Sequence, residues 1–160
     1  MYAYIVLLHV VGAFVFALSH GASVAVSLRL GSVKSRDEIR GLLSLSYLSV
    51  GGLYVGLVVL LVGGVWAGFA GDHWGRAWIW AALVILIVIM VAMYAIATPF
   101  YARMRVAAGI ETNPARIERA GPIAEGELEA MARSRRPIAL AAIGGMGLLT
   151  ILWLMVVKPF

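Results

Sequence analysis

The sequence predicts an all-α fold: a transmembrane four-helix bundle, up-down-up-down, with a short amphipathic helical insertion on the cytoplasmic side before the last helix. Three observations predict it. The 160-residue chain is 62% hydrophobic and only 13% charged, whereas a soluble domain of this length is about half apolar and about a quarter charged. Its apolar residues form four blocks, each with the ~20 residues needed to cross a ~30 Å hydrocarbon core. Its basic residues sit in the loops between blocks, where membrane topology rather than nucleic-acid binding accounts for the net charge of +5.

The first span is expected over about residues 4–28, closed by Arg29. It is too long for a signal-peptide core and is read as retained. Gly31 suits a helix C-cap. Ser35 with Glu38 three residues on reads as a capping box, so the second helix is expected to start near Arg36 and to span about 42–70. The turn Gly71-Asp72-His73-Trp74-Gly75-Arg76 leads to a third span over about 77–100, and Trp74, Trp78 and Trp80 form an interfacial belt. Pro99 marks a kink or an exit from that helix.

The polar stretch of about 101–136 is expected to hold one or two short helices, lying along the membrane surface or against a partner. Asn113-Pro114 and Gly121-Pro122 each read as N-cap plus first helical residue. Glu129 and Arg133 read as an i,i+4 pair. Pro137 opens a fourth span over about 138–157. The chain is one domain. Lys34, Arg36 and Arg40 crowd the first loop, and Arg103, Arg105, Arg116, Arg119, Arg133, Arg135 and Arg136 the third. The second turn has only Arg76 and the C-terminus only Lys158. The positive-inside rule then puts both termini outside and both basic loops in the cytoplasm of an inner (plasma) membrane.

There is no cysteine, which excludes disulfides, thiolate metal sites and iron–sulfur clusters. Phosphate loops, H-E-x-x-H and paired intramembrane carboxylates are also missing, so a soluble-type enzyme is not indicated. The chain would at most be a redox subunit. Glu118, Glu125, Glu127 and Glu129 lie among arginines and read as a solvated surface.

The informative residues are His9 and His20 in the first span. An ionisable group at membrane depth marks a functional site by default. Eleven residues at 100° is about 20° from three full turns, so the two imidazoles share a helix face about 16 Å apart along the axis. That stripe carries Gly12, Ala13, Phe16, Ser23 and Ser27, and should face the interior. Val10, Phe14, Leu18 and Ala25 should face lipid. Counting from the basic ends sets His20 level with Gly51 and Gly52, and His9 level with Val62 beside Gly63 and Gly64. On the fourth span Met146, flanked by Gly144, Gly145 and Gly147, falls at the depth of His20. Met90 and Met93 do so on the third.

These positions suggest a haem or metal site. Imidazole is an axial ligand of b-type haem, and a flat porphyrin needs neighbours without side chains, which glycine supplies. His9, His20 and, in the outer turn, His73 are candidate metal ligands. Met146 is a candidate partner for His20. The expected function is a small membrane subunit carrying haem b for electron transfer with quinone or a partner protein. It would work as a homo-oligomer or within a larger complex. Alternatives are a copper or small-solute permease and a purely structural subunit. Glycine pairs such as Gly52-xxx-Gly56 and Gly64-xxx-Gly68 also match the small-xxx-small pattern of close helix packing.

The stretch Leu7-Leu8-His9-Val10-Val11-Gly12-Ala13, with the four-span plan, resembles a group of small bacterial integral membrane proteins. That group is loosely similar to the copper-resistance D-type membrane proteins. The resemblance implies copper handling by intramembrane histidines and methionines. His9 alone matches the motif; the wider histidine and methionine set of a copper permease is missing.

Overall fold

Six helices form, in chain order α1 (Tyr2–Leu30), α2 (Arg36–Ala70), α3 (Ala77–Ala107), α4 (Pro114–Ala120), α5 (Glu127–Arg133) and α6 (Arg136–Val157). They are seen in a computed structural model that describes residues 1–160. There are no strands. The four long helices are the apolar ones. Even α6, with 22 residues, rises about 33 Å at 1.5 Å per residue, enough for a ~30 Å core. Large apolar side chains such as Phe14, Leu18, Val58, Val88 and Leu152 are exposed along them, as befits helices whose solvent is lipid. The chain is an integral membrane protein built as an all-α helical bundle.

The bundle is not a square of equal contacts. α1 packs extensively along α2, α6 lies between α1 and α3, and α2 scarcely touches α3 although the two are consecutive. The spatial order is therefore α2–α1–α6–α3. One end is drawn together by a buried cluster to which α1, α2, α3, α5 and α6 all contribute, including Val26, Leu30, Leu43, Met104, Leu128 and Leu140. This is the end of the basic loops. At the opposite, tryptophan-rich end the buried cluster is Trp78, Ile79, Ala82 and Leu154, drawn from α3 and α6 alone, with Trp74 of the turn packed against it.

Several local expectations are revised at the basic end. Ser35 is the N-cap of α2, but it makes no side-chain capping bond. Glu38 is instead taken by Arg29, whose Nη2 donates to it at 2.9 Å, because the short loop brings the end of α1 beside the start of α2. α3 runs two turns past Phe100, straight through Pro99, and so carries Arg103 and Arg105 clear of the apolar core. Asn113 does cap α4, its Oδ1 accepting from the Ala115 N–H at 3.0 Å. Gly121, by contrast, ends α4 rather than starting a helix. Its φ of +68° is open to glycine and strained for other residues. α5 begins only after Gly126, again at positive φ. Glu129 faces Arg36 across 3.8 Å rather than Arg133.

α4 buries nothing, whereas α5 inserts Leu128 and Ala132 into the core. Arg103 ties the two together, donating to the Glu127 carboxylate and to the Ala120 and Pro122 carbonyls. Its hydrogen bond, with that of the Ala124 N–H, holds the Glu127 carboxyl below the usual range. Burial alone would raise Glu111. Bonds from the Asn113 N–H and Arg116, with the nearby charges of Arg116 and Arg105, outweigh that and leave it lowered. Arg105 also lies 4.5 Å from the ring centroid of Tyr47 on α2, and Arg40 Nε donates to the Ala108 carbonyl at 2.6 Å. The polar segment is thus pinned back onto the bundle.

Candidate functional site

The α1 stripe faces inward as the helical count requires. Gly12 and Ser27 are buried, His9, Ala13, Phe16, His20 and Ser23 are half-buried, and Val10, Phe14, Leu18 and Ala25 are exposed. α1 meets α2 through a ladder of small residues. A Cβ on Gly63 would lie 2.7 Å from the His9 nitrogen and 2.8 Å from its Cα. One on Gly56 would lie 2.9 Å from the Phe16 Cα, and one on Gly52 2.6 Å from the Ser19 hydroxyl. Gly12 returns the contact from α1, facing the backbone of Val59 and Leu60. Each step of three or four residues along α1 is matched by one back along α2, the signature of close antiparallel packing through small residues.

His9 sits inside this ladder. Its Nδ1 lies 2.8 Å from the Leu60 carbonyl oxygen. A carbonyl only accepts, so Nδ1 carries the proton, and in the neutral ring Nε2 keeps the lone pair. The ring covers Gly64, where a Cβ would come within 2.8 Å of Nδ1. His20 turns the other way. Its ring lies against Gly144 of α6, and its Nε2 is buried with no hydrogen-bond partner. The two imidazoles therefore tie α1 to two different neighbours, His9 to α2 and His20 to α6.

The remaining candidates are placed separately. Gly51 faces open space, and Met146 is 65% exposed on α6. His73 meets Tyr2, Nε2 to hydroxyl 3.2 Å. Tyr2 precedes His9 by seven residues, about 10 Å of helix rise. No three histidine or carboxylate side chains converge into a metal-binding group. Compared with known proteins, the chain matches no family model, no curated protein and no solved structure.

Chemically, the glycines expected to make room for a porphyrin have their room filled. The His9 backbone and ring occupy the space over Gly63 and Gly64, Ser19 that over Gly52, and the His20 ring that over Gly144. A flat macrocycle does not fit between α1 and α2. Shallow open grooves do run along the outer face of α2, one lined by Leu61, Val62, Val65, Trp66 and Phe69, the other by Tyr54, Val55, Val58 and Val59. The sequence count foresaw the depth of His9 against Gly63 and Gly64. It missed Ser19, which takes the place over Gly52, and Leu60, whose contribution is a backbone carbonyl and leaves no trace in residue type.

Proposed function

We propose that the chain is a small membrane subunit that presents intramembrane imidazoles, His9 first and His20 second, to a cofactor or metal shared with a neighbouring chain. The observation that carries the reading is the His9 Nδ1–Leu60 carbonyl bond at 2.8 Å. A backbone acceptor on one ring nitrogen fixes the tautomer and orientation of a ligating histidine and raises the basicity of the other. The neighbouring chain is invoked because α2 fills the space beside the His9 ring while this chain does not bury the His9 Nε2, whereas the His20 Nε2 is closed in against α6, which makes His20 the weaker of the two. Haem b with electron transfer to quinone is the leading version, and copper the second. A homo-oligomer or a larger complex would supply the other ligand.

The visible spectrum of protein purified from haem-replete cells tests this directly. A Soret band with split reduced bands is expected, together with its loss or shift in His9→Ala. Stoichiometric copper that falls in His9→Ala would select the copper version. A colourless, metal-free preparation whose parent complex works normally with both histidines replaced would sink the ligand reading. It would leave a purely structural subunit, which the Gly12, Gly56 and Gly63 contacts favour.

The reading also places both termini outside and the basic loops in the cytoplasm. The bias of eleven Lys and Arg residues toward one end of the bundle supports it, against Arg76 and Lys158 at the other. The chain has no native cysteine, so single cysteine reporters are clean. Gly75→Cys is expected to react with an impermeant maleimide added to intact cells, and Ser134→Cys only after lysis. The reverse pattern would invert the orientation.

A further inference from the structure

We propose that Arg133, Arg135 and Arg136, at the junction of α5 and α6, form a binding site for the phosphate headgroups of anionic lipid. This inference goes beyond the histidine reading and does not depend on it.

Most carboxylates at the basic end are already engaged by other arginines. Glu38 pairs with Arg29, Asp37 with Arg40, Glu111 with Arg105 and Arg116, Glu127 with Arg103, and Glu129 with Arg36. Arg133, Arg135 and Arg136 take part in none of these pairs, and all three are exposed. They stand within four consecutive positions, and no carboxylate pairs with any of them.

Their place is also where a positive charge is least useful to the helix. Arg135 is the N-cap of α6 and Arg136 its first residue, with no acidic residue in the first turn. Cations at a helix N-terminus oppose the macrodipole. A structural role would favour carboxylates there.

Depth supplies the partner. Pro137 and Leu140 are buried just inside the junction, and Ile138 is exposed at the first lipid-facing position of the span. The Arg136 guanidinium stands 5.9 Å over the Phe100 ring, at the point where α3 leaves its apolar segment. Arg135 and Arg136 therefore stand at the entrance to the span, within a turn of Ile138, and Arg133 closes α5 just before them. Guanidinium matches phosphate with paired N–H donors, and juxtamembrane basic clusters select anionic lipid. Lys34 belongs to the adjacent α1–α2 loop, where Gly31 approaches the Ala132 carbonyl, and extends the same patch.

The test is lipid binding to the delipidated full-length protein in detergent, read by native mass spectrometry with phosphatidylglycerol and phosphatidylcholine in parallel. The wild-type chain is expected to retain phosphatidylglycerol preferentially. Arg133→Gln, Arg135→Gln and Arg136→Gln together should cost on the order of a hundredfold of that affinity, and Arg135→Gln alone about fivefold. Arg135→Lys should keep the preference, as should the double variant Arg76→Gln, Lys158→Gln at the opposite end. If the triple variant does not fold, the single variants decide. Equal retention of both lipids by the wild type, or an undiminished preference in Arg135→Gln, would overturn the proposal. Displacement of the lipid by millimolar inorganic phosphate would replace it with a free-anion site.

Discussion

Gly63→Ala is expected to destabilise the protein by about 1–3 kcal/mol, the usual cost of forcing a methyl group into filled space. The added Cβ would fall 2.7 Å from the His9 nitrogen and 2.8 Å from its Cα. Both are backbone atoms of a packed helix and cannot step aside singly. α1 and α2 would have to separate, and the His9–Leu60 bond would lengthen with them. Gly51→Ala is the matched control. Nothing lies within 4 Å of its Cβ position, and alanine is the better helix former, so that variant should gain about 0.5–1 kcal/mol. Reversible unfolding in detergent, followed by helical circular dichroism, measures both. Equal stability of the two variants would refute the ladder as a tight contact.

Met104→Ala is expected to cost about 2–5 kcal/mol, the range for truncating a buried side chain of this size. Met104 is wholly buried in the cluster that joins α1, α2, α3, α5 and α6. Its loss opens a cavity where the two helix pairs are held together. Leu149→Ala, on a lipid-facing position that is 60% exposed, should change stability by no more than about 0.5 kcal/mol. The same unfolding measurement applies, and comparable losses at both sites would contradict the placement of the core. The contrast follows from the medium. In lipid an exposed leucine has already traded water for hydrocarbon, so only tightly packed positions lose much on truncation.

The four spans, their alternation and the inward stripe of α1 were legible in residue type, because lipid imposes long apolar runs and helical periodicity does the rest. The depth of His9 was legible too: a count from the ends set it beside Gly63 and Gly64, one residue from the register seen. The direction of His20 was not. It shares a stripe with His9, yet α6 rather than α2 meets it, and only the crossing of three helices decides which neighbour a ring reaches. The role of the glycines was also hidden. A glycine pair beside a histidine is equally consistent with room for a planar ligand and with room for another backbone, and here the backbone fills it. Loop details were lost for a different reason. Ser35–Glu38 and Glu129–Arg133 are sound local pairings, but Arg29 and Arg36 compete for the same carboxylates from other elements. Tertiary proximity won both contests.

The near absence of contact between α2 and α3 bears on the order in which the molecule is made. Its most extensive interface, α1 against α2, lies wholly within the first 70 residues. That hairpin can settle in the bilayer while the rest of the chain is still being synthesised, since domains and hairpins fold as they emerge, N-terminal part first. α3 need find no seat on α2. It waits for α6, which follows it in the chain, docks on α3 and α1 together and brings the His20 ring against Gly144. The joining of these four helices therefore turns on the docking of α6, and a chain interrupted before it would hold a packed α1–α2 pair beside an unpaired α3.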